Sequence, residues 1–522
     1  MRLPFNPVST RLAVGFLLCG GLTWLVLASH QDAFRKNVAA EYYFHHDHII
    51  GTSLDMWITT TDEASAESAE RAILDEIERL RRIFSTYDPD SEICRLNGKR
   101  EPMAASTEMI EVLKEYEFFQ ARSHGAFSGQ LGELVRVWKN AETTQREPDA
   151  VTLSRLVQQL RERGWRIDEA NRTVTRLNDQ PLNLNSIAKG YIIQKASAAA
   201  RARIASLQGL LLNLGGDMAA WGMDDAGKKS WTIGVQDPHQ PEDNAAPIAR
   251  VRLQDAAIAT SGAYERYYTI DGKRHSHIFD PRTGRSADGA ASATVIASNN
   301  VTANALATTL CVLTPEEGLQ LVAATPGVEC LLVTKEGTQL RSAGLHAMEV
   351  PVARLAANVA FQDNKDGKKI EAWPDGYQVK LTLTIPSVTA KKYRRPYVAV
   401  WVENADGKPV RSITVWGNNA RYWKDLPQWW KFAKNDNDLV KAVTRATRAP
   451  GKYSLVWDGK DDHGTALAQG TYTVYVEVHR EHGKLVRQTG RIQCGVEPAR
   501  ITLEKNAETG DTLVEYAKKK AP

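Results

Sequence analysis

From Tyr377 onward the chain is written largely in short alternating runs: YQVKLTLTI (377–385), YVAVWVEN (397–404), YSLVWDG (453–459), TYTVYVEVHRE (471–481) and LVRQTGRIQCG (485–495). Alternation gathers the apolar side chains on one face of each strand, and several such strands hide that face only by stacking sheets. Residues 375–500 therefore read as an all-β sandwich, and the charged residues 501–522 as a tail that frays. The earlier part follows another rhythm. In AESAERAILDEIERLRRIFS (66–85), Ile73, Ile77, Leu80 and Phe84 share one helical face. Further helices are expected over 107–122, 152–163, 188–206 and 301–313, and strands over 52–60, 210–221, 230–235, 248–258, 291–297 and 328–334. The order lacks a regular strand–helix–strand alternation, so the fold class is an α+β domain, spanning 45–350, followed by the β-sandwich. The polar, aperiodic stretch 351–374 reads as the linker between them.

A chain of 522 residues exceeds one ordinary domain, in keeping with this division. The net charge of +4 is scattered rather than gathered into a stripe, which argues against a nucleic-acid partner. Arg2 and Arg11 precede an apolar run from Leu12 to Ala28, the pattern of a signal peptide or N-terminal membrane anchor over 1–29. The rest is thereby expected in a bacterial periplasm, free or attached to the inner membrane. Cys94, Cys311, Cys330 and Cys494 show no CxxC spacing, so neither a zinc site nor a disulfide framework is indicated. A single Cys311–Cys330 bridge stays open in an oxidising compartment.

Several blocks place small residues beside polar ones, the composition of a site where backbone approaches a ligand. They are LNLNSIAKGY (182–191), NLGGD (213–217), TSGAYERYYTIDGKRHSHIFDPRTG (260–284) and TANALATTL (302–310). Asn304 and Thr308 are four apart and share a helix face. His277 carries an imidazole suited to general-base work near neutrality, and His275, two residues away, would point to the same side of a strand. Gly215-Gly216 form either an anion-accepting nest or a tight turn. In HHDH (45–48) strand alternation separates neighbouring histidines, which speaks against a metal tract. Thr294, in DGAASAT, fits the beginning of a strand better than a modification site. Trp416, Trp423, Trp429 and Trp430 form either a binding surface or a loop folded over the sandwich.

With IIGTSLDMWI (49–58), FSTYDPDSEICRLN (84–97) and SHGAFSGQLGELVRVW (123–138), the ordered set resembles the ApbE family of FAD:protein FMN transferases over about residues 45–345. The later part resembles an uncharacterised Ig-like domain found joined to such enzymes. The resemblance implies Mg²⁺-dependent transfer of FMN from FAD to a threonine hydroxyl of an exported FMN-binding redox protein, such as those of sodium-pumping or Rnf-type complexes, with AMP leaving. It implies His277 as catalytic base. Ile50, Tyr87, Ala126, Phe127, Ser128, Asn183, Lys189 and Ile278 fall on cofactor positions, and Ser186, Asn304 and Thr308 on metal positions. The chain departs from the family where an Asp is replaced by Ser128, Asn183, Gln194 or Asn304, and Mg²⁺ favours charged oxygens. Two alternatives follow: a non-catalytic flavin-binding scaffold of a periplasmic electron-transfer system, or an FAD pyrophosphatase.

Overall fold

The computed structural model describes residues 39–519 apart from 224–226, 228–229, 241, 263–265, 351–370, 388–393, 418–419, 446 and 482. The expected signal or anchor segment, Cys19 and most of the expected linker lie outside the described residues. Two compact units emerge. The first takes the chain through Trp231, then Leu253–Leu332 and Arg341–Ala343; the second takes Thr232–Arg252, Val333–Leu340 and the residues from Gly344 on.

The frame of the first unit comes from an eight-stranded sheet whose spatial order follows the chain, most of its last strand being counted with the second unit. Its strands are β1 (Ala40–Ile49), β2 (Thr52–Thr60), β3 (Gly209–Leu214), β4 (Asp217–Gly222), β5 (Ala256–Gly262), β6 (Ser292–Ala297), β7 (Glu329–Val333) and β8 (Gln339–Arg341). Pairing from β1 through β6 is antiparallel. Four helices matter for the site: α1 (Glu63–Phe84), α2 (Thr107–Arg122), α3 (Asn185–Arg203) and α4 (Asn300–Val312). The Asp62 side chain accepts the Ser65 N–H and starts α1, whose Ile73, Ile77 and Leu80 are buried as their spacing demands. Asn299 caps α4 in the same way through the Thr302 N–H.

Two glycine positions fix close approaches in this frame. Gly215 and Gly216 have φ of +58° and +93° and join β3 to β4, so NLGGD is a two-residue hairpin turn of the type that needs positive φ twice. At Gly190 a Cβ would lie 2.5 Å from the Asn300 carbonyl oxygen, so α3 and α4 cross at this distance only without a side chain there.

Several elements differ from expectation. The strand expected over 210–221 is the β3–β4 hairpin, and 248–258 splits into Ala249–Leu253 and the start of β5. Strand β1 and the helix Gly132–Thr144 lie outside the expected elements. In β1, His45 pairs with Asp55 and Asp47 while His46 reaches Glu70, and no metal-holding His/Cys/Asp/Glu group occurs among the described residues. Thr294 is buried in β6 with its hydroxyl 2.9 Å from that of Thr260, inaccessible to modification.

The second unit stacks two sheets. Its strands are β9 (Tyr377–Ile385), β10 (Tyr397–Glu403), β11 (Pro409–Trp416), β12 (Thr444–Arg445), β13 (Gly451–Trp457), β14 (Gly470–His479), β15 (Val486–Cys494), β16 (Ala499–Leu503) and β17 (Thr512–Lys518). One sheet runs β13-β9-β17-β16 and the other β12-β11-β10-β14-β15. Val379, Leu381 and Leu383 meet Val398, Val400, Val474 and Val476 between them. The tryptophan-rich stretch is a loop with short helices folded over the five-stranded sheet. Trp401, Leu426, Trp429 and Ala433 form that second core. Buried Glu477 accepts the N–H groups of Gln428 and Trp429 and pairs with Arg487 at 2.8 Å. The charged tail expected to fray is corrected: β17 lies between β9 and β16, with Val514 and Tyr516 fully buried. Its alternation points the charges outward and the apolar groups inward, which a simple charge count hides.

Residues 232–252 belong with this unit. Asp243 pairs with Arg448 at 2.7 Å and accepts the Trp416 indole N–H at 2.7 Å, while Asn244 makes two hydrogen bonds with the Val456 backbone. The open possibility of a Cys311–Cys330 bridge is settled against it, since all four described cysteines are free thiols. The Cys311 thiol instead donates to the Ser261 carbonyl at 3.3 Å, and burial pushes its pKa up to about 12. Among the described residues no helix is long and apolar enough to cross a membrane.

Candidate functional site

Several of the polar residues expected from the sequence lie on or just before α3 and on α4, which cross at Gly190. Helix α3 begins without a side-chain cap, and Asn183 just before it accepts the Asn185 N–H at 3.2 Å. One turn in, the Lys189 ammonium lies 2.5 Å from Oδ2 of Asp217 and 3.4 Å from the Gly215 carbonyl. The Asp217 side chain is 5% exposed. The neighbouring Gly190 faces α4, where Asn304 Oδ1 lies 2.9 Å from the place of a Cβ. One turn further along α4, Thr308 Oγ1 is 3.4 Å from Ser261 Oγ of β5. Asn300 donates to the Met218 carbonyl at 2.8 Å and ties the start of α4 to β4, next to Asp217. The crossing thus sets Gly190 beside Asn304, from blocks more than a hundred residues apart, while Lys189 turns to the β3–β4 hairpin and Thr308 to Ser261.

As a cation site this donor set does not fit. Ser186, Asn304 and Thr308 offer only neutral oxygens, whereas Mg²⁺ is ordinarily held by one or two carboxylates together with substrate phosphates. The carboxylate at the crossing, Asp217, is engaged by Lys189.

His277 follows directly on a strand, Lys273–Ser276. Its Nδ1 lies 2.8 Å from the Arg266 carbonyl, an oxygen that can only accept, so Nδ1 carries the proton and Nε2 keeps a lone pair. Burial first, and the Arg266 charge second, hold its pKa below the ordinary imidazole value. His275 does not share this setting. Its ring lies tilted against Trp138 at 5.2 Å and faces Glu147 at 3.6 Å, because the backbone leaves the strand before His277. Asp280 is held by Arg282 at 2.9 Å and its carbonyl closes the following turn with Gly284 N–H, so it fixes the turn.

The other expected cofactor positions divide by exposure. Tyr87 is 92% exposed on the loop after α1. Ile50, with φ of +42°, and Gly51 form the β1–β2 turn. The Ile278 side chain is buried, and its backbone binds Ser276 Oγ and the Ala287 N–H. Ala126 and Phe127 are core residues; the Phe127 ring stacks on Tyr116 of α2 at 5.0 Å. Ser128 is buried and accepts the Gln130 N–H. Asp217 and Arg266 were not singled out from the sequence. Asp217 stood inside NLGGD, but only the hairpin turn brings its carboxylate to Lys189.

Residues 50–332 match the ApbE family, and residues 378–511 match a family described as a predicted periplasmic protein (DUF2271). An FAD:protein FMN transferase of Klebsiella pneumoniae is 30% identical over 307 residues, covering 55% of this chain and 83% of its own length. One of Treponema pallidum is 29% identical over 298 residues, covering 54% and 81%. The crystal structure of the ApbE protein of Thermotoga maritima superposes with a TM-score of 0.54 at 29% identity, over 60% of this chain and 100% of that one. The flavin transferase ApbE of Vibrio cholerae, at 24% identity and a TM-score of 0.50 over 59% and 99%, shares the fold. The family match extends over more than half of the chain and takes in the crossing of α3 and α4, Asp217 and His277: the chain belongs to the ApbE family.

Proposed function

We propose that this protein transfers FMN from FAD to a protein acceptor in the periplasm. The observation that carries the reading is Lys189, held at the α3–α4 crossing where its positive charge can meet a pyrophosphate, in a chain whose relatives are named FAD:protein FMN transferases. The acceptor threonine oxygen forms a bond to the FMN phosphorus while the bond from that phosphorus to the AMP oxygen breaks. The hydroxyl proton goes to Nε2 of His277 and from there to water, and AMP departs. Lys189 offsets charge on the phosphates, and Tyr87 offers an exposed ring to the flavin. The backbone at Ile50 and Ile278 lines the cofactor, and Ala126, Phe127 and Ser128 support it from within. Acceptors are exported FMN-binding redox proteins, with residues 12–28 as the route to an inner-membrane attachment. Mg²⁺, when bound, would neutralise pyrophosphate charge. Ser186, Asn304 and Thr308 provide no charged ligand for it, so no step is assigned to the ion.

A second reading rests on Asn183 and Asn304, which leave these positions uncharged: a flavin-binding scaffold without transfer. Incubating residues 30–522 with FAD, Mg²⁺ and a recombinant FMN-binding acceptor distinguishes them. The expected outcome is an acceptor heavier by a single FMN with equivalent AMP, both lost in His277→Ala. Bound FAD with neither product would install the scaffold reading. Free FMN and AMP without labelled acceptor would make the protein an FAD pyrophosphatase.

A further inference from the structure

We propose that Asp217 is the positioning residue for Lys189, holding its ammonium where the pyrophosphate of FAD arrives; this rests on the reading that Lys189 meets that pyrophosphate. A lysine side chain has four rotatable bonds, and an unrestrained one spreads its charge over many positions. Here the amine is held between the Asp217 carboxylate at 2.5 Å and the Gly215 carbonyl at 3.4 Å. Both partners sit on the β3–β4 hairpin, whose turn is set by two glycines at positive φ and whose register pairs Leu214 with Asp217. A carboxylate with 5% of its side chain exposed has lost most of its water and calls for a partner, and Lys189 at 2.5 Å is the pairing cation. The hairpin thus does for a flexible lysine what a rigid guanidinium does unaided. Asn183 and Asn304 are neutral and offer Lys189 no carboxylate, so the contact that fixes its ammonium comes from Asp217 on the hairpin.

The test uses the full chain in EDTA, with flavin fluorescence quenching as the readout and FAD and riboflavin as the probes. Riboflavin lacks the phosphates, so it reports the flavin pocket alone. Asp217→Asn should weaken FAD binding about tenfold, the size expected for a displaced charge-assisted contact, and leave riboflavin binding unchanged. Lys189→Met should show the same selective loss, the double variant should lose no more than either single variant, and Asp217→Glu should recover part of it. Parallel loss of FAD and riboflavin in Asp217→Asn would make its role structural and overturn the proposal. Additive losses in the double variant, or unchanged FAD affinity in Asp217→Asn, would do so too. Should Asp217→Asn not fold, selective loss in Lys189→Met with partial loss in Asp217→Glu supports the assignment, and full affinity in Asp217→Glu overturns it. Variants that show this pattern, in a protein whose wild-type chain transfers no FMN, would remove the transferase reading and keep the positioning role.

Discussion

At the scale of single residues, His277 and Gly190 make separate demands. The Nδ1 of His277 is committed to the Arg266 carbonyl, and burial together with the Arg266 charge lowers its pKa. The unprotonated base therefore survives to lower pH than a free imidazole would allow. The acid limb of the transfer rate should fall below about pH 6.5, and Arg266→Gln should move it upward; an acid limb above that value would remove His277 as the base. The stability sign is fixed by the same shift. With the folded pKa depressed, the unfolded chain takes the proton first, so this contribution is present above about pH 6.5 and is lost as pH falls below it. Gly190→Ala would drive a methyl group toward the Asn300 carbonyl, 2.5 Å away, and toward Asn304. A loss of roughly 1–3 kcal/mol is expected from thermal melts, together with weaker FAD binding as α3 and α4 part. An unchanged melt would mean that the helices can separate without cost.

Among the elements, β17 carries a structural role that its charged composition conceals. It sits between β9 and β16, so deleting residues 504–522 would expose both neighbours' ladders and uncover Leu381 and Val379. The expected result is loss of the cooperative unfolding transition of the second unit; a truncated chain melting as the full one does would return this segment to the status of a tail. Elements with clean periodicity were legible. The strand over 52–60 and the helix over 107–122 agree with β2 and α2 residue for residue. The helix Gly132–Thr144 has Leu134, Trp138 and Ala141 on one buried face, a signal present in the sequence but overshadowed by the motif around it. Strand β1 gives no periodic signal, because its partly buried aromatic and histidine side chains do not alternate in polarity.

For the molecule as a whole, the division into units does not follow the order of the sequence. Residues 232–252 lie within the stretch that matches the ApbE family, yet they are held by Arg448, Trp416 and the Val456 backbone of the second unit. Asp243→Ala would remove the partner of two groups at once, the Arg448 guanidinium and the Trp416 indole. Because both side chains of the ion pair are mostly buried, a loss of about 2–4 kcal/mol is expected. It would be read as a lower melting temperature with a changed tryptophan emission from Trp416. A silent substitution would show that the 232–252 segment is not anchored through Asp243.

By itself, the sequence determined the two-part α+β and β-sandwich plan, the family, and the short blocks from which the site is drawn, because periodicity and motif composition are local properties of the chain. It could not show that the carboxylate following two glycines meets Lys189, that Phe127 turns into the core while Tyr87 faces solvent, or that His275 and His277 part company. Nor could it assign residues 232–252 to the second unit or place β17 inside a sheet. Those outcomes depend on which surfaces meet. A buried charge is stabilised by its partner in space, and a strand by its neighbours in the sheet, whatever their separation along the chain.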